Sequence, residues 1–374
     1  MKKKLTVIAL SLGLGLYASD SRAKLFTLRV TDYGNLNASN GPVEAALIDF
    51  INTEVQKVED QVNEDIPVPP PKRFMEGMAN SSVMAGKGIG SDYASNMSVA
   101  LVGAGVGVAA DLEKDKTTDS DVSGVGLAPG AVLGFNLGTV RSSKVFGLDP
   151  KRLNLYVNFM KYTHDQTISD KADEESSASL GTLAYGVHLR YDWIKGKGSK
   201  LLGWGGVKVH LGYEFNKTDI SFRGKVKEEL NETSAGATIS GTSRAAPTID
   251  IRSKTHSIPL ELSTDVQLLY FVSLYTGLGA DANFGSASAK GSLNAEEMTI
   301  NCTSSAGGHP CNPTEVLKAN ASADIDGKGS VNPFTFRGFA GLQLNLPFVR
   351  IFGQVDKSLG DELVSATAGV RFVY

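Results

Sequence analysis

The chain has 374 residues, a formal net charge of −3 and 41 glycines. This length suits one large domain or two ordinary ones, and the near-neutral charge argues against nucleic acid as a partner. Glycine exceeds its average share of about 7%. After residue 23 no apolar stretch is long enough for a membrane-spanning helix. These features favour an exported, β-rich protein.

The first 23 residues have the pattern of a secretory signal peptide. Residues 2–4 are lysines, and an apolar run follows at 5–17, too short to span a bilayer as a helix. Ser21 and Ala23 provide small residues at the −3 and −1 positions of a cleavage site. A buried N-terminal helix is the alternative. We expect the mature chain to start at Lys24.

Residues 24–95 are predicted to form a helical and proline-rich segment ahead of the main domain. Apolar residues spaced by three and four predict a helix over 42–63. A polyproline spacer follows at 66–71, and a second helix is predicted for 72–84. Two locations stay open for this segment: it plugs the lumen of the domain that follows, or it forms a periplasmic arm.

From residue 96 onward the apolar period changes from helical to alternating. Strands of soluble sandwiches usually have about 5–6 residues, whereas strands that cross an outer membrane need about 9–11. The alternating stretches here run for about ten residues or more. Their length therefore predicts an all-β fold for residues 96–374, an antiparallel transmembrane β-barrel with its apolar face toward lipid and a polar lumen.

About ten strands are predicted, within a range of about 8–12, and an even number suits a closed bacterial barrel. Their expected positions are 96–110, 125–140, 151–164, 179–194, 202–216, 249–265, 269–286, 333–346, 348–358 and 364–374. The connections alternate in kind. Polar and mostly long segments lie at 111–124, 165–178, 217–248, 287–332 and 359–363, and short ones lie at 141–150, 195–201, 266–268 and 347. With the N-terminus in the periplasm, every long connection falls outside and every short one inside.

The last ten residues, SATAGVRFVY, end in an aromatic residue preceded by apolar residues at alternate positions, with Val370, Phe372 and Tyr374 as the main features. This ending resembles the C-terminal signal of bacterial outer-membrane β-barrel proteins. The resemblance implies recognition by the barrel-assembly machinery and a place among outer-membrane lipid and lipopolysaccharide. It covers only these ten residues and assigns no single family. The N-terminal helical segment departs from simple porins.

No motif predicts catalysis, a cofactor or a metal site. Gly105, Gly107 and Ala110 match the Gly-x-Gly-x-x-Ala form of the dinucleotide fingerprint, but a charged loop follows them where that site needs a helix. We interpret these glycines as places where another element approaches a barrel strand closely. No Gly-x-Ser-x-Gly motif is present. The protein is therefore not expected to be an enzyme, with an outer-membrane protease or lipase as the alternative.

Ten charged or histidine side chains are predicted to face the lumen from alternate strand positions. Opposite charges among them are expected to pair across a wet lumen, and in a pore the arginines would set selectivity against the glutamates. These residues are His188, Arg190, Lys208, His210, Glu214, Glu261, Asp265, Arg337, Arg350 and Arg371.

The outer connections carry two further features. Cys302 and Cys311 lie in the polar segment 287–332, and in an oxidising compartment they are expected to form a disulfide; half of a metal site with His309 is the alternative. The acidic stretches 111–121 and 165–175 are interpreted as solvated surface, with binding of divalent cations or cationic partners as the alternative.

Two functions follow from this architecture. The first is a narrow or plugged porin-like channel for small solutes. The alternative is a surface-exposed adhesin, a barrel that binds an extracellular ligand through the connections at 217–248 and 287–332.

Overall fold

A computed structural model of the chain describes residues 29–32, 49, 52–53, 56, 71–94, 97, 99–114, 120–145, 147–169, 176–198, 201–224, 226–234, 237–304 and 320–374. Within these residues the named elements are thirteen strands, one long helix, α1 (Pro71–Ala85), and two 3-10 turns at Leu137–Thr139 and Pro150–Arg152. No helix in this part of the chain has both the length and the apolar character needed to cross a membrane.

The strands are β1 (Arg29–Asp32), β2 (Ala100–Lys114), β3 (Ser120–Asn136), β4 (Leu153–Ser169), β5 (Ser176–Gly198), β6 (Leu202–Gly224), β7 (Val226–Ser234), β8 (Ala237–Leu268), β9 (Val272–Ser304), β10 (Asn320–Ser330), β11 (Phe334–Asn345), β12 (Val349–Ser358) and β13 (Leu363–Val373).

Ten of the described strands close into an antiparallel barrel. The ring follows the order β2-β3-β4-β5-β6-β8-β9-β11-β12-β13, and β13 pairs back with β2. Val364 lies opposite Ala110 and Phe372 lies opposite Val102 in this closing pair. A closed ring leaves no sheet edge with unpaired backbone groups, which is the condition for a sheet in lipid. The prediction of an all-β barrel of about ten strands is confirmed.

The two faces of the barrel wall are inverted relative to a soluble protein. On β8, Leu260 and Leu262 are 52% and 45% exposed, whereas Glu261 between them is 5% exposed. Successive strand residues point to opposite faces, so this alternation puts apolar side chains outside and charged ones inside. Among the inward side chains, Arg190 and Arg337 are completely buried.

The two ends of the barrel differ in their connections. Residues 137–152, 199–201, 269–271 and 346–348 join strands at one end, which we call the short-turn end. The start of β2 and the end of β13 also lie at this end, where the backbone N–H of Ala100 donates to the carbonyl of Tyr374 at 3.1 Å. The connections β2–β3, β4–β5, β6–β8, β9–β11 and β12–β13 lie at the opposite end, the long-loop end.

Much of the backbone at 217–248 and 287–332, which the sequence pattern assigned to long loops, is β-strand. β8 has 32 residues and β9 has 33, and they pair from Leu268–Val272 at the short-turn end to Ala237–Ser304. β7 continues the line of β6 along β8, and β10 continues the line of β11 along β9. We call β7, β10, residues 237–247 of β8 and residues 286–304 of β9 the projecting sheet. Beyond the barrel wall both faces of a strand can meet water, so the alternation that reveals a strand in the sequence is lost.

The N-terminal region agrees with the sequence pattern at α1 and differs from it at β1. Residues 71–85 form the second expected helix, whereas residues 29–32 form a strand that pairs with β10. The described positions inside the first expected helix are helical, and the Thr53 hydroxyl donates to the Asp49 carbonyl at 2.8 Å. The expected signal peptide lies outside the described residues.

Candidate functional site: the closed lumen

Residues 71–94 occupy the lumen of the barrel, and we call them the lumen segment. At the long-loop end Gly77 lies against Ser123, where an added β-carbon would be 2.5 Å from the Ser123 carbonyl oxygen. Farther in, a β-carbon at Gly107 of β2 would overlap the Ala85 carbonyl oxygen. The sequence interpretation of the β2 glycines was close approach of another element. Gly107 shows that approach, and the neighbouring element is the lumen segment.

The helical half of the lumen segment packs on apolar wall residues near the long-loop end. Met75 and Met78 are 0% and 2% exposed and belong to one cluster with Ile251, Ala287 and Val331. Unbranched methionine side chains fill irregular gaps well, which suits a helix enclosed by a wall of mixed residue sizes. This half is therefore held mainly by apolar packing.

The non-helical half is held by charge pairs, and the first involves Lys87. Its ammonium group lies 2.7 Å from the Glu214 carboxylate and 3.5 Å from that of Asp281, and it donates to the Ser257 hydroxyl at 2.9 Å. Lys87 is therefore a buried cation with two carboxylate partners.

The second group of contacts surrounds Asp92. The guanidinium of Arg350 lies 2.8 Å from the Asp92 carboxylate, and that of Arg371 lies 3.8 Å from it. Arg190 donates to the Asp92 backbone carbonyl at 2.6 Å. Arg371 also donates to the carbonyl of Ser91 at 2.6 Å. Three arginines from three different strands thus converge on one short stretch of the lumen segment.

Tyr93 makes the third group of contacts. Its hydroxyl donates to the Glu261 carboxylate at 2.8 Å, and its backbone carbonyl accepts from Lys208 at 2.7 Å. Its ring stacks on Tyr275 and lies 4.9 Å from Phe339 between ring centroids. Tyr93 is therefore held to the wall by two hydrogen bonds and by ring contacts.

Arg337 of β11 joins these contacts into one network. It forms ion pairs with the carboxylates of Asp281 at 2.9 Å and Asp356 at 2.6 Å, and a third with Glu261. Glu261 and Asp281 are also the partners of the lumen segment described above. A planar guanidinium with five N–H donors can bind three carboxylates at once, which a lysine cannot do in the same geometry.

All ten side chains predicted to face the lumen lie on its inner wall. Six of them bond directly to the lumen segment: Arg190, Lys208, Glu214, Glu261, Arg350 and Arg371. The other four act beside these contacts: Asp265 pairs with Lys208, Arg337 pairs with Glu261, the His210 ring lies 4.7 Å from that of Tyr93, and the His188 ring lies against Gly90.

Several members of the network were missed by sequence reasoning. Asp281 and Asp356 occupy inward positions on β9 and β12, and strict alternation along those strands would have identified them. Lys87, Asp92 and Tyr93 lie in an irregular stretch that has no periodic pattern, so no comparable signal was available.

The remaining predicted sites can be placed in part. Val370 and Phe372 of the C-terminal signal are exposed on the outer face of β13, and Tyr374 follows at 81% exposure. Cys302 lies on the backbone of β9, whereas Cys311 and His309 lie outside the described residues, so the disulfide stays a prediction. Much of the two acidic stretches, at 115–119 and 170–175, also lies outside them. In the part of the chain that the structure describes, no group of three His, Cys, Asp or Glu side chains is arranged to hold a metal ion.

These features define a class of protein, a ten-stranded β-barrel whose lumen is closed by its own N-terminal chain. Residues 32–374 match the model of the Lsa36-like family, and the chain belongs to this family. No curated protein sequence matches it.

Solved barrels show a distant similarity. The transport unit of the autotransporter AIDA-I from Escherichia coli is 9% identical with a TM-score of 0.33, covering 81% of this chain and 99% of that one. The Ralstonia pickettii toluene transporter TbuX is 10% identical with a TM-score of 0.23, covering 80% and 99%. The Acinetobacter baumannii outer membrane protein Omp33 is 8% identical with a TM-score of 0.24, covering 75% and 99%. The TM-scores are low, and the barrel assignment rests on the hydrogen-bonded ring.

Proposed function

We propose that the protein is an outer-membrane barrel closed by its own lumen segment, and that it binds an extracellular partner through its projecting sheet. The barrel is the anchor in this proposal, and the sheet is the working surface. The length of β8 and β9 is the observation that carries it.

The outward face of the wall supports a membrane location. Large apolar side chains such as Leu133, Leu278 and Val355, each about 60% exposed, cover this face, while charges fill the interior. In water such a surface would cost about 25 cal/mol for each Å² of apolar area, whereas lipid removes that cost. In bacterial barrels short turns face the periplasm and long connections face outward. We therefore propose that the long-loop end faces outside the cell.

Strand length supports a surface function. A strand needs about 9–11 residues to cross the membrane, but β8 has 32 residues and β9 has 33. At about 3.3 Å per residue such strands are roughly 100 Å long, several times what the hydrocarbon layer requires. An anchor would not need this extension, whereas a module that presents a surface to other molecules does.

A channel is the second candidate, and the polar lumen wall favours it. Removing the lumen segment would leave a passage lined by the charged residues that now hold it. The contacts of Lys87, Asp92 and Tyr93 close that passage in the intact chain. We therefore expect at most rare conductance from the intact protein.

Two measurements separate the candidates. Planar-bilayer recordings should show silence from the mature protein and steady current from a variant lacking residues 24–94.

Adhesion of expressing cells to surfaces coated with extracellular-matrix proteins should be lost when residues 225–246 and 294–322 are each replaced by Asn-Gly. Both deletions join residues that are already paired or next to a pair, since Arg223 lies opposite Thr248 and Leu293 lies opposite Ala323. Steady current from the intact protein, or full adhesion by the trimmed one, would contradict the proposal.

A further inference from the structure

Contacts at the two ends of the lumen segment show the direction in which the chain passes through the barrel. Arg73 near the start of α1 pairs with Asp111 close to the long-loop end of β2, and Lys72 beside it has a 79% exposed side chain. Near the other end of the lumen segment, Asp92 contacts Arg350 at the start of β12. The chain therefore enters the lumen at the long-loop end and descends toward the short-turn end.

The residues after the lumen segment complete this path. Met97 packs with Leu101 and Tyr156 at the short-turn end, and β2 begins there at Ala100. The C-terminal residue Tyr374 lies at the same end, since its N–H donates to the Ala100 carbonyl at 2.9 Å. Pro71 at the start of α1 is thus separated from the start of β2 by the height of the barrel.

The position of β1 agrees with this path. Val30 pairs with Ala321 and Arg29 with Ser322, at the distal part of β10. β10 pairs there with β9 around Ala295, within the projecting sheet. A strand of the N-terminal region is therefore part of the sheet beyond the long-loop end, on the side from which the lumen segment enters.

We propose that the barrel carries the N-terminal part of its own chain to the cell surface, so that β1 is displayed outside while the start of β2 and Tyr374 face the periplasm. This inference rests on the proposed membrane orientation. An exported chain begins in the periplasm, and the lumen is the polar path that the structure shows between the two sides. The lumen segment is the part of that chain that stays in the passage and closes it.

Epitope tags inserted at three positions test this topology on intact cells. One tag follows Asp32 at the end of β1, a second follows Gly360 in the β12–β13 connection, and a third follows Ser142 in a short turn. We expect antibody binding to the first two tags on intact cells, and to the third only after the outer membrane is permeabilised. Each tagged protein must show heat-modifiable migration in SDS gels, which verifies a folded barrel.

The outcomes distinguish the inference from the orientation on which it rests. Binding at the Gly360 tag with none at the Asp32 tag would overturn the inference and leave the orientation in place. Binding at the Ser142 tag with none at the Gly360 tag would overturn the orientation and with it the proposed function.

External protease provides a second measurement. It should remove the Asp32 tag from intact cells and leave a folded barrel without the tag; retention of the tag on the barrel would contradict the inference.

Discussion

The carboxylate of Asp92 and the guanidinium of Arg350 lie 2.8 Å apart, although 258 positions separate them in the chain. One residue lies on the lumen segment and the other at the start of β12. The Asp92 side chain is completely buried, so water does not screen the pair. This contact joins the N-terminal chain to one of the last strands of the wall.

Substitution of Asp92 should destabilise the folded barrel strongly. Asp92→Asn removes the buried carboxylate that Arg350 and Arg371 contact, and loss of one partner from a buried pair costs about 3–5 kcal/mol. The measurement is the free energy of unfolding from urea titration in detergent. Glu362→Gln is the matched control, because the pair of Glu362 with Lys357 is largely exposed and such pairs contribute about 0–1 kcal/mol. Equal losses in the two variants would contradict the assigned role.

Arg337→Met should also lower stability strongly, because three carboxylates lose their shared cation. We expect a loss of at least about 3 kcal/mol. Adding Asp281→Asn and Glu261→Gln to this variant should restore part of the loss, since it removes charges that are then unpaired. The readout is the midpoint temperature at which folded protein converts to the slower unfolded band in SDS gels. No recovery in the triple variant would show that the charges are not the cause.

A larger side chain at position 107 should displace the lumen segment. Gly107→Val puts a side chain where the Ala85 carbonyl lies, and the wall at β2 cannot retreat without breaking its pairing with β3 and β13. We expect frequent channel openings in planar bilayers from this variant. Gly353→Val is the control, because no atom lies within 4 Å of a β-carbon at Gly353. Similar traces from both variants would argue against closure by this segment.

Removing the Tyr93 hydroxyl should destabilise the folded barrel. Tyr93→Phe takes away the donor that bonds to the buried Glu261 carboxylate at 2.8 Å, and a hydrogen bond to a charged group contributes about 1.5–3 kcal/mol. The measurement is the free energy of unfolding from urea titration in detergent. Tyr162→Phe is the control, because Tyr162 is 41% exposed; equal losses in the two variants would argue against a role for the Tyr93 hydroxyl.

Strand positions and the inward side chains were predictable because alternation is local. Arg190, Glu261 and Arg337 each stand between outward residues on the same strand, so their side of the sheet follows from position alone. The same rule failed for the parts of β8 and β9 that belong to the projecting sheet, since a strand without one apolar face has no alternating pattern to read.

The amino-acid sequence by itself indicated about ten barrel strands and which of their faces is apolar, because the pleat makes side-chain direction a function of position. It also determined that the charges of the wall would face inward. Only the tertiary structure decided which of them pair, and that Lys87, Asp92 and Tyr93 are their partners. It alone decided that the chain enters the lumen from the long-loop end. Ion pairs such as Asp92–Arg350 form between residues far apart in the chain, and their geometry exists only after the ring has closed around the lumen segment.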